Sequence, residues 1–293
     1  MPPPARITAL TACIVMGLAA CNAREEPDAS MAGMLIDRQL SEISGMAASH
    51  VHRDALWLID DGGNAARLFA VSTKGSRRAT LTVDGVNKTD WEDLAAFEMD
   101  GRHYLLVADT GDNGGLRRTL QLHAIAEPAR MENARVHPAW SIAFRWPDGP
   151  RDCEAVAVDS ARGEILLVSK KRYPPELFVL PLRPVRGVQT ARKVGLLGGV
   201  PRTPGHASGP DLEAQVTAAA LSPDGLTLAV MTYRHLLQYR RRGANWDSAL
   251  AAPSSARVLP WLPQAEALTF SADGRALYAT GEFIPAPLYR LQP

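Results

Sequence analysis

A module of three short apolar strands recurs five times along the chain, and this repeat constrains the fold more than any other feature of the sequence. In the last copy, the strands are residues 266–270, 276–280 and 287–291, with a turn at 272–274. The equivalent positions in the first strand of each copy, which we call the anchor residues, are Ser44, Glu92, Glu154, Thr217 and Glu266. Because 48, 62, 63 and 49 residues separate them, the module has the length of a propeller blade.

A fourth strand is expected in each interval between modules, at residues 79–83, 139–144, 193–197 and 256–261. The last module lacks one, and residues 34–38 can supply it. The sequence therefore predicts an all-β fold over residues 32–293: a five-bladed β-propeller of four-stranded antiparallel blades, closed by an N-terminal strand. An irregular β-sandwich and a sixth, degenerate blade within the longer intervals are the alternatives.

Composition agrees with many short strands joined by turns, since the chain has 22 proline and 23 glycine residues and is 46% apolar. Thirty-two basic residues balance 31 acidic residues. The net charge gives no reason to expect a nucleic-acid partner, which would require a local basic patch.

The N-terminus indicates export. Residues 7–20 form an apolar run that is too short to span a bilayer comfortably, and the run ends in Leu18-Ala19-Ala20-Cys21, which resembles the lipobox of bacterial lipoproteins. We expect a signal peptide at 1–20, a polar tether at 21–31 acylated at Cys21, and a periplasmic protein anchored in a membrane, most simply the outer membrane. The alternative is an ordinary signal peptide in which Cys21 is incidental. Cys153 is then the one thiol of the folded part, and we expect it to be buried and inert.

Oxygen-bearing side chains occupy the places where the blades meet the propeller axis. The anchor residues are one such set, and the residues two positions earlier form a second set: Glu42, Asp90, Asp152, Gln215 and Gln264. Converging carboxylates repel one another unless a cation neutralises them, and oxygen ligands suit calcium before magnesium. We therefore expect the five anchor residues to surround a cation. The alternative is a hydrated polar channel whose carboxylates accept hydrogen bonds from backbone amides.

The ends of the second strands and the loops that follow them reach the same mouth of the channel. They carry both acids and bases, so this mouth is expected to accept an anionic ligand beside the cation. The expected ligand-binding residues are Asp61, Asp109, Asp112, Lys170, Lys171, Tyr233 and Glu282. Asx turns are the alternative explanation for the acids in these loops.

Short motifs resemble known propeller families. Ser44-Gly45-Met46, the acids at 60–61 and Asp90-Trp91-Glu92 resemble the strand starts of five-bladed calcium-activated nucleotidases, or apyrases. Asp90-Trp-Glu-Asp93 with Asp109-Thr-Gly-Asp-Asn113 is similar to bacterial phytase-like and esterase-like propellers. The apyrase resemblance implies calcium held by the anchor residues and hydrolysis of nucleoside diphosphates, with Thr217 as a departure where another acid is usual.

Two functions follow from these observations. The first is a lipid-anchored envelope propeller whose face binds a phosphate-bearing or other anionic small molecule, or an envelope protein, without chemistry. The second is a calcium-dependent phosphoric ester or anhydride hydrolase in which Asp90 or Glu92 activates water. A glycosidase that uses two of the acids is a third, weaker hypothesis.

Overall fold

The computed structural model describes residues 28–61, 63, 65–206, 209–243 and 245–293. The predicted signal peptide and Cys21 lie outside the described residues, and the export and acylation of the chain stay predictions. None of the helices in the described ranges has the length and apolarity of a membrane-spanning segment.

Within those ranges the chain forms 22 strands and two 3-10 turns, Arg38–Leu40 and Leu212–Ala214. The first eleven strands are β1 (Ala29–Leu35), β2 (Ile43–Ala48), β3 (Ala55–Asp60), β4 (Arg67–Ser72), β5 (Arg77–Val83), β6 (Trp91–Met99), β7 (Arg102–Asp109), β8 (Leu120–Ala126), β9 (Ala134–Val136), β10 (Trp140–Arg145) and β11 (Cys153–Asp159). The others are β12 (Glu164–Ser169), β13 (Glu176–Pro181), β14 (Gln189–Thr190), β15 (Arg192–Leu196), β16 (Val216–Leu221), β17 (Thr227–Thr232), β18 (His235–Arg240), β19 (Ser255–Val258), β20 (Ala265–Phe270), β21 (Leu277–Gly281) and β22 (Ala286–Leu291).

These strands form five separate sheets, the blades of a propeller. From the inside outwards, blade 1 is β2-β3-β4-β5-β9, blade 2 is β6-β7-β8-β10-β14, blade 3 is β11-β12-β13-β15, blade 4 is β16-β17-β18-β19 and blade 5 is β20-β21-β22-β1. Each inner strand contacts the inner strands of both neighbouring blades, and β2 contacts both β6 and β20. The ring is therefore closed, and the predicted five-bladed propeller is confirmed.

Blades 1 and 2 differ from the predicted four strands because each gains a fifth, parallel strand. β9 belongs to the connection between the third and fourth strands of blade 2, and it pairs with β5 at the outer edge of blade 1. β14 lies in the corresponding connection of blade 3, between β13 and β15, and it pairs with β10 of blade 2. The extra residues of the two longest repeats thus cover open sheet edges and do not build a sixth blade.

The closing strand is confirmed with different bounds. β1 pairs antiparallel with β22, from Ala29 opposite Leu291 to Leu35 opposite Ala286. It ends before the predicted residues 36–38 because the carboxylate of Asp37 accepts a hydrogen bond from Gln39 N (3.0 Å) and starts a 3-10 turn. It begins at Ala29, so that part of the predicted tether forms sheet.

The hydrophobic core is divided into five wedges, one between each pair of adjacent blades. Large side chains fill them, such as Trp57 and Trp91 between blades 1 and 2 and Phe178 between blades 2 and 3. This packing leaves the propeller axis to the polar residues of the inner strands.

Candidate functional site

A β-bulge interrupts every inner strand at its anchor residue. Pairing with the second strand skips one residue in each blade, and the skipped residues are Ser44, Glu92, Glu154, Thr217 and Glu266. A bulged residue is left out of the ladder, and its side chain is re-aimed. The repeated bulge therefore explains why these five buried polar positions recur at one mouth of the channel.

Three carboxylates from blades 2 and 3 converge at this mouth. Glu92, Asp152 and Glu154 are all buried, and each offers an oxygen within 4.8 Å of the other two. Oxygens that bind one calcium ion at about 2.3 to 2.6 Å can be at most about 5.2 Å apart. The acidic cluster, as we call these three residues, therefore has the size and the ligand chemistry of a site for a hard cation.

Two lysines neutralise part of the acidic cluster. Lys170 forms an ion pair with Glu154, and Lys171 Nζ lies 2.9 Å from Asp152 Oδ2. Glu92 is only 5% exposed, and its carboxylate has no hydrogen-bond or ion-pair partner among the described residues. One buried acid of the cluster is thus left without a direct partner.

Burial and repulsion from neighbouring acids oppose the ionisation of Glu92 and Glu154. Burial, followed by repulsion from Glu154 and Asp90, raises the pKa of Glu92 well above its ordinary value. Burial raises the pKa of Glu154 to about 7, although the ammonium group of Lys170 acts in the opposite direction. Without a cation, Glu92 and Glu154 therefore hold protons that exposed glutamic acids would lose.

The loop after β7 is held by its own acids. Asp109 accepts hydrogen bonds from the backbone amides of Thr89 (2.8 Å) and Asp90 (3.2 Å), and it pairs with Arg117 (2.6 Å). Asp112 accepts from the amides of Leu116 (2.7 Å) and Arg117 (3.0 Å). Both predicted ligand-binding acids thus have structural partners, and Asp112 N in turn donates to Asp152 Oδ1 (2.8 Å).

Gly111 brings this loop against the carboxylates. A Cβ atom built at this position would overlap Glu92 Oε1 and Asp90 Oδ2. Only glycine leaves room for the loop with these two carboxylates where they are, and Asp90 and Glu92, the two residues predicted to activate water, lie side by side against it.

Glu266 belongs to a second network that adjoins the acidic cluster. Tyr233 donates to Glu266 Oε1 (2.8 Å), and Lys170 Nζ donates to the Tyr233 hydroxyl (3.0 Å). Burial and then a hydrogen bond with Glu282 raise the pKa of Glu266 to about 9. The carboxylates that converge within 4.8 Å of one another do not include Glu266, which therefore lies beside the acidic cluster and not in it.

The two hydroxyl anchors tie adjacent blades together. Ser44 Oγ donates to the carbonyl of Trp91 (2.8 Å), and Thr217 Oγ1 donates to the carbonyl of Ala265 (2.6 Å). Each bond joins an inner strand to the inner strand of the next blade.

At the rim of the mouth, burial and repulsion from Glu282, Glu42 and Asp90 raise the pKa of Asp61 to about 6.

Asp93 has a role that the sequence analysis missed. Its Oδ2 accepts hydrogen bonds from Val156 N (2.7 Å) in blade 3 and Ala219 N (3.4 Å) in blade 4, and Oδ1 accepts from Leu94 N (2.8 Å). This fully buried carboxylate thus joins three blades at the axis, and burial raises its pKa well above the ordinary value in spite of these bonds.

A signal for Asp93 was present in the repeat. The residues after the other four anchors are all small: Gly45, Ala155, Ala218 and Ala267. A Cβ on Gly45 would lie 2.7 Å from the Cα of Asp93. The small residues leave room for one larger side chain at the axis, and Asp93 fills it.

Comparison with known proteins does not assign this chain to a family. Neither a scan against protein-family models nor a search of curated proteins found a match to this chain. The propeller is established by the structure, whereas the resemblance to apyrases and phytase-like propellers remains a hypothesis based on short motifs. Cys153 is buried and free, and burial raises its pKa, as expected for an unreactive thiol.

Proposed function

We propose that the acidic cluster binds a divalent cation, calcium in the first place, and that the cation and its surroundings hold an anionic ligand at the mouth of the channel. The observation that carries the proposal is Glu92, a buried carboxylate without a partner beside two other converging carboxylates. A cation would compensate its charge and lower the cost of burying it.

The neighbouring lysines provide the anion-binding half of the proposal. Their ammonium groups contact Glu154 and Asp152, the same residues that would bind the cation. A cation on these carboxylates would weaken both ion pairs and free Lys170 and Lys171 for a phosphate or carboxylate ligand. Tyr233 and the exposed edge of Asp61 would complete the contacts around a phosphate-bearing small molecule.

Calcium binding is tested by calorimetry and thermal unfolding of the wild-type chain and of Glu154→Gln. Binding to the folded state should raise the unfolding temperature in calcium relative to chelator. Glu154→Gln keeps the shape of the side chain but removes a charged ligand, so this increase should shrink. Glu132→Gln, an exposed control, should respond like the wild type. Equal calcium responses in all three chains, or no binding at millimolar calcium, would contradict the proposal.

A hydrolase is the second candidate, favoured by the placement of Asp90 and Glu92 together against Gly111. An unpartnered Glu92 carboxylate could take a proton from water as the water attacks phosphorus and the phosphorus–oxygen bond to the leaving group breaks. Phosphate esters, nucleoside diphosphates and phytate should be assayed with and without calcium. Calcium-dependent turnover that Glu92→Gln abolishes would support a hydrolase, and no turnover of any substrate would favour binding alone.

The propeller is further proposed to be a periplasmic lipoprotein tethered through Cys21, on the lipobox-like residues 18–21. Cell fractionation of Cys21→Ser should show soluble protein or unprocessed precursor. Retention of a normally processed chain in the membrane would contradict acylation at this residue.

A further inference from the structure

The opposite mouth of the channel contains a cavity that the proposed function does not use. It has a volume of about 430 Å³ and is lined by residues of all five blades. Two imidazole rings meet in it in a T-shaped arrangement. The centroids of His50 and His103 are 5.7 Å apart, and the rings are nearly perpendicular.

A carboxylate accompanies the two imidazoles. Glu98 lines the same cavity and pairs directly with His103 across β6 and β7. Side chains of directly opposite residues lie on the same face of the sheet, with Cβ atoms about 4.5 to 5.5 Å apart. The exposed Glu98 carboxylate can therefore turn towards the His103 ring without a change in the backbone.

Glu127, a buried residue of the same mouth, fixes the backbone of both histidines. Its carboxylate accepts hydrogen bonds from His50 N (3.1 Å), Trp57 Nε1 (2.8 Å) and Ser49 Oγ. Its own amide donates to the carbonyl of His103 (3.0 Å). With this many partners, Glu127 positions the histidines and does not serve as a free ligand itself.

We propose that His50, His103 and Glu98 bind a transition-metal cation of the zinc class at this mouth. Two imidazoles and one carboxylate are a donor set that zinc accepts in proteins. His103 Nδ1 is buried and has no hydrogen-bond partner among the described residues, and a metal ion would satisfy this nitrogen.

The proposed zinc site is distinct from the acidic cluster in position and chemistry. Ser44 and His50 are six positions apart along β2 and the residues just after it, which corresponds to about 20 Å of extended chain. Oxygen-only and nitrogen-rich sites also select different cations. The two sites can therefore be titrated separately.

Zinc titration of the full chain by calorimetry, with calcium in excess, tests this inference. We expect one zinc equivalent in the wild type and an affinity at least about tenfold lower in His50→Ala and in His103→Ala. The exposed His137→Ala, at the periphery of the disc, and Asp152→Asn, in the acidic cluster, should bind zinc like the wild type. Cobalt as a second probe should give visible absorption bands that the same two histidine substitutions remove.

The controls also distinguish a loss of zinc binding from a failure to fold. His50 is exposed, so His50→Ala should keep the wild-type unfolding temperature in the absence of metal even if His103→Ala does not. Zinc binding unchanged in His50→Ala would overturn the proposal, as would no zinc binding by the wild type at millimolar metal. Loss of binding in Asp152→Asn with binding kept in His50→Ala would place the zinc in the acidic cluster and would also overturn it.

Discussion

Glu92 is the residue on which the chemistry of the acidic mouth depends most. A bulge turns it out of the β6 ladder, its neighbours bury it, and Lys170 and Lys171 pair with other acids. A buried carboxylate in this position must either hold a proton or share a cation. The protonation state of Glu92 therefore indicates whether a cation is bound at the acidic mouth.

Gly111→Ala should separate cation binding from stability. The added Cβ would displace the ends of the Glu92 and Asp90 side chains, which are flexible, and it would not press on backbone. We expect calcium affinity to fall at least about tenfold, while the free energy of unfolding without calcium falls by only about 1 kcal/mol. Calorimetry and urea unfolding measure the two effects.

Gly243→Ala is the matched control, because a Cβ there meets no atom within 4 Å. Its calcium affinity should equal that of the wild type. If Gly111→Ala also binds calcium with wild-type affinity, then Glu92 and Asp90 are not part of the cation site.

Single residues were predictable only as far as the repeat defines their position. The anchor residues could be found because each occupies the same position in its copy of the repeat, in the first apolar strand. That Asp152 joins Glu92 and Glu154, while Glu266 pairs with Glu282, depends on side-chain packing around Lys170 and Tyr233, which a repeat does not encode. Asp93 was missed because its partners are backbone amides of two other blades.

At the scale of elements, β1 controls the closure of the ring. Leu35 near its end is fully buried and packs with Ile43 and Leu288 between blades 5 and 1. Leu35→Ala should therefore lower the free energy of unfolding by about 2 to 5 kcal/mol. Ile36→Ala, at a neighbouring residue that is 73% exposed, should change it by less than about 0.5 kcal/mol.

Urea unfolding followed by tryptophan fluorescence measures both variants. Similar small losses in Leu35→Ala and Ile36→Ala would mean that β1 docks without stabilising the ring. The acidic cluster is remote from β1, so calcium affinity should be unchanged in both.

Strands with a buried apolar face were predictable from the sequence, whereas the shortest edge strands were not. The three inner strands of each blade were identified because apolar residues and turns recur in register. β9 and β14 were not, since they have three and two residues and are held by pairing at a sheet edge, not by an apolar face. β19 ends at Val258, three residues before the predicted limit, where the chain turns towards blade 5.

At the scale of the whole molecule, the raised pKa values predict that stability without metal depends on pH. Folded Glu266 keeps its proton to about pH 9, whereas an exposed glutamic acid loses it near about pH 4.3. Between these values the folded state binds more protons than the unfolded state, so stability falls as the pH rises. Glu154, with a pKa of about 7, acts in the same direction.

Thermal unfolding in chelator should therefore give a lower unfolding temperature at pH 8 than at pH 5. Glu266→Gln imitates the protonated acid and still accepts from Tyr233, so it should reduce this slope and leave the stability at pH 5 nearly unchanged. Glu132→Gln should keep the wild-type slope. A wild-type protein that becomes more stable between pH 5 and pH 8 would show that the buried acids are ionised.

The direction of β1 gives the disc an orientation. Ala29 pairs with Leu291, at the histidine-lined mouth, and Leu35 pairs with Ala286, at the acidic mouth. The chain therefore enters the propeller from the histidine side. The eight residues from Cys21 to Asp28 can extend over at most about 28 Å. With Cys21 in a bilayer, the tether would join the propeller at the histidine-lined mouth, and the acidic mouth would lie on the face of the disc opposite this attachment, where solutes could reach it from the aqueous phase.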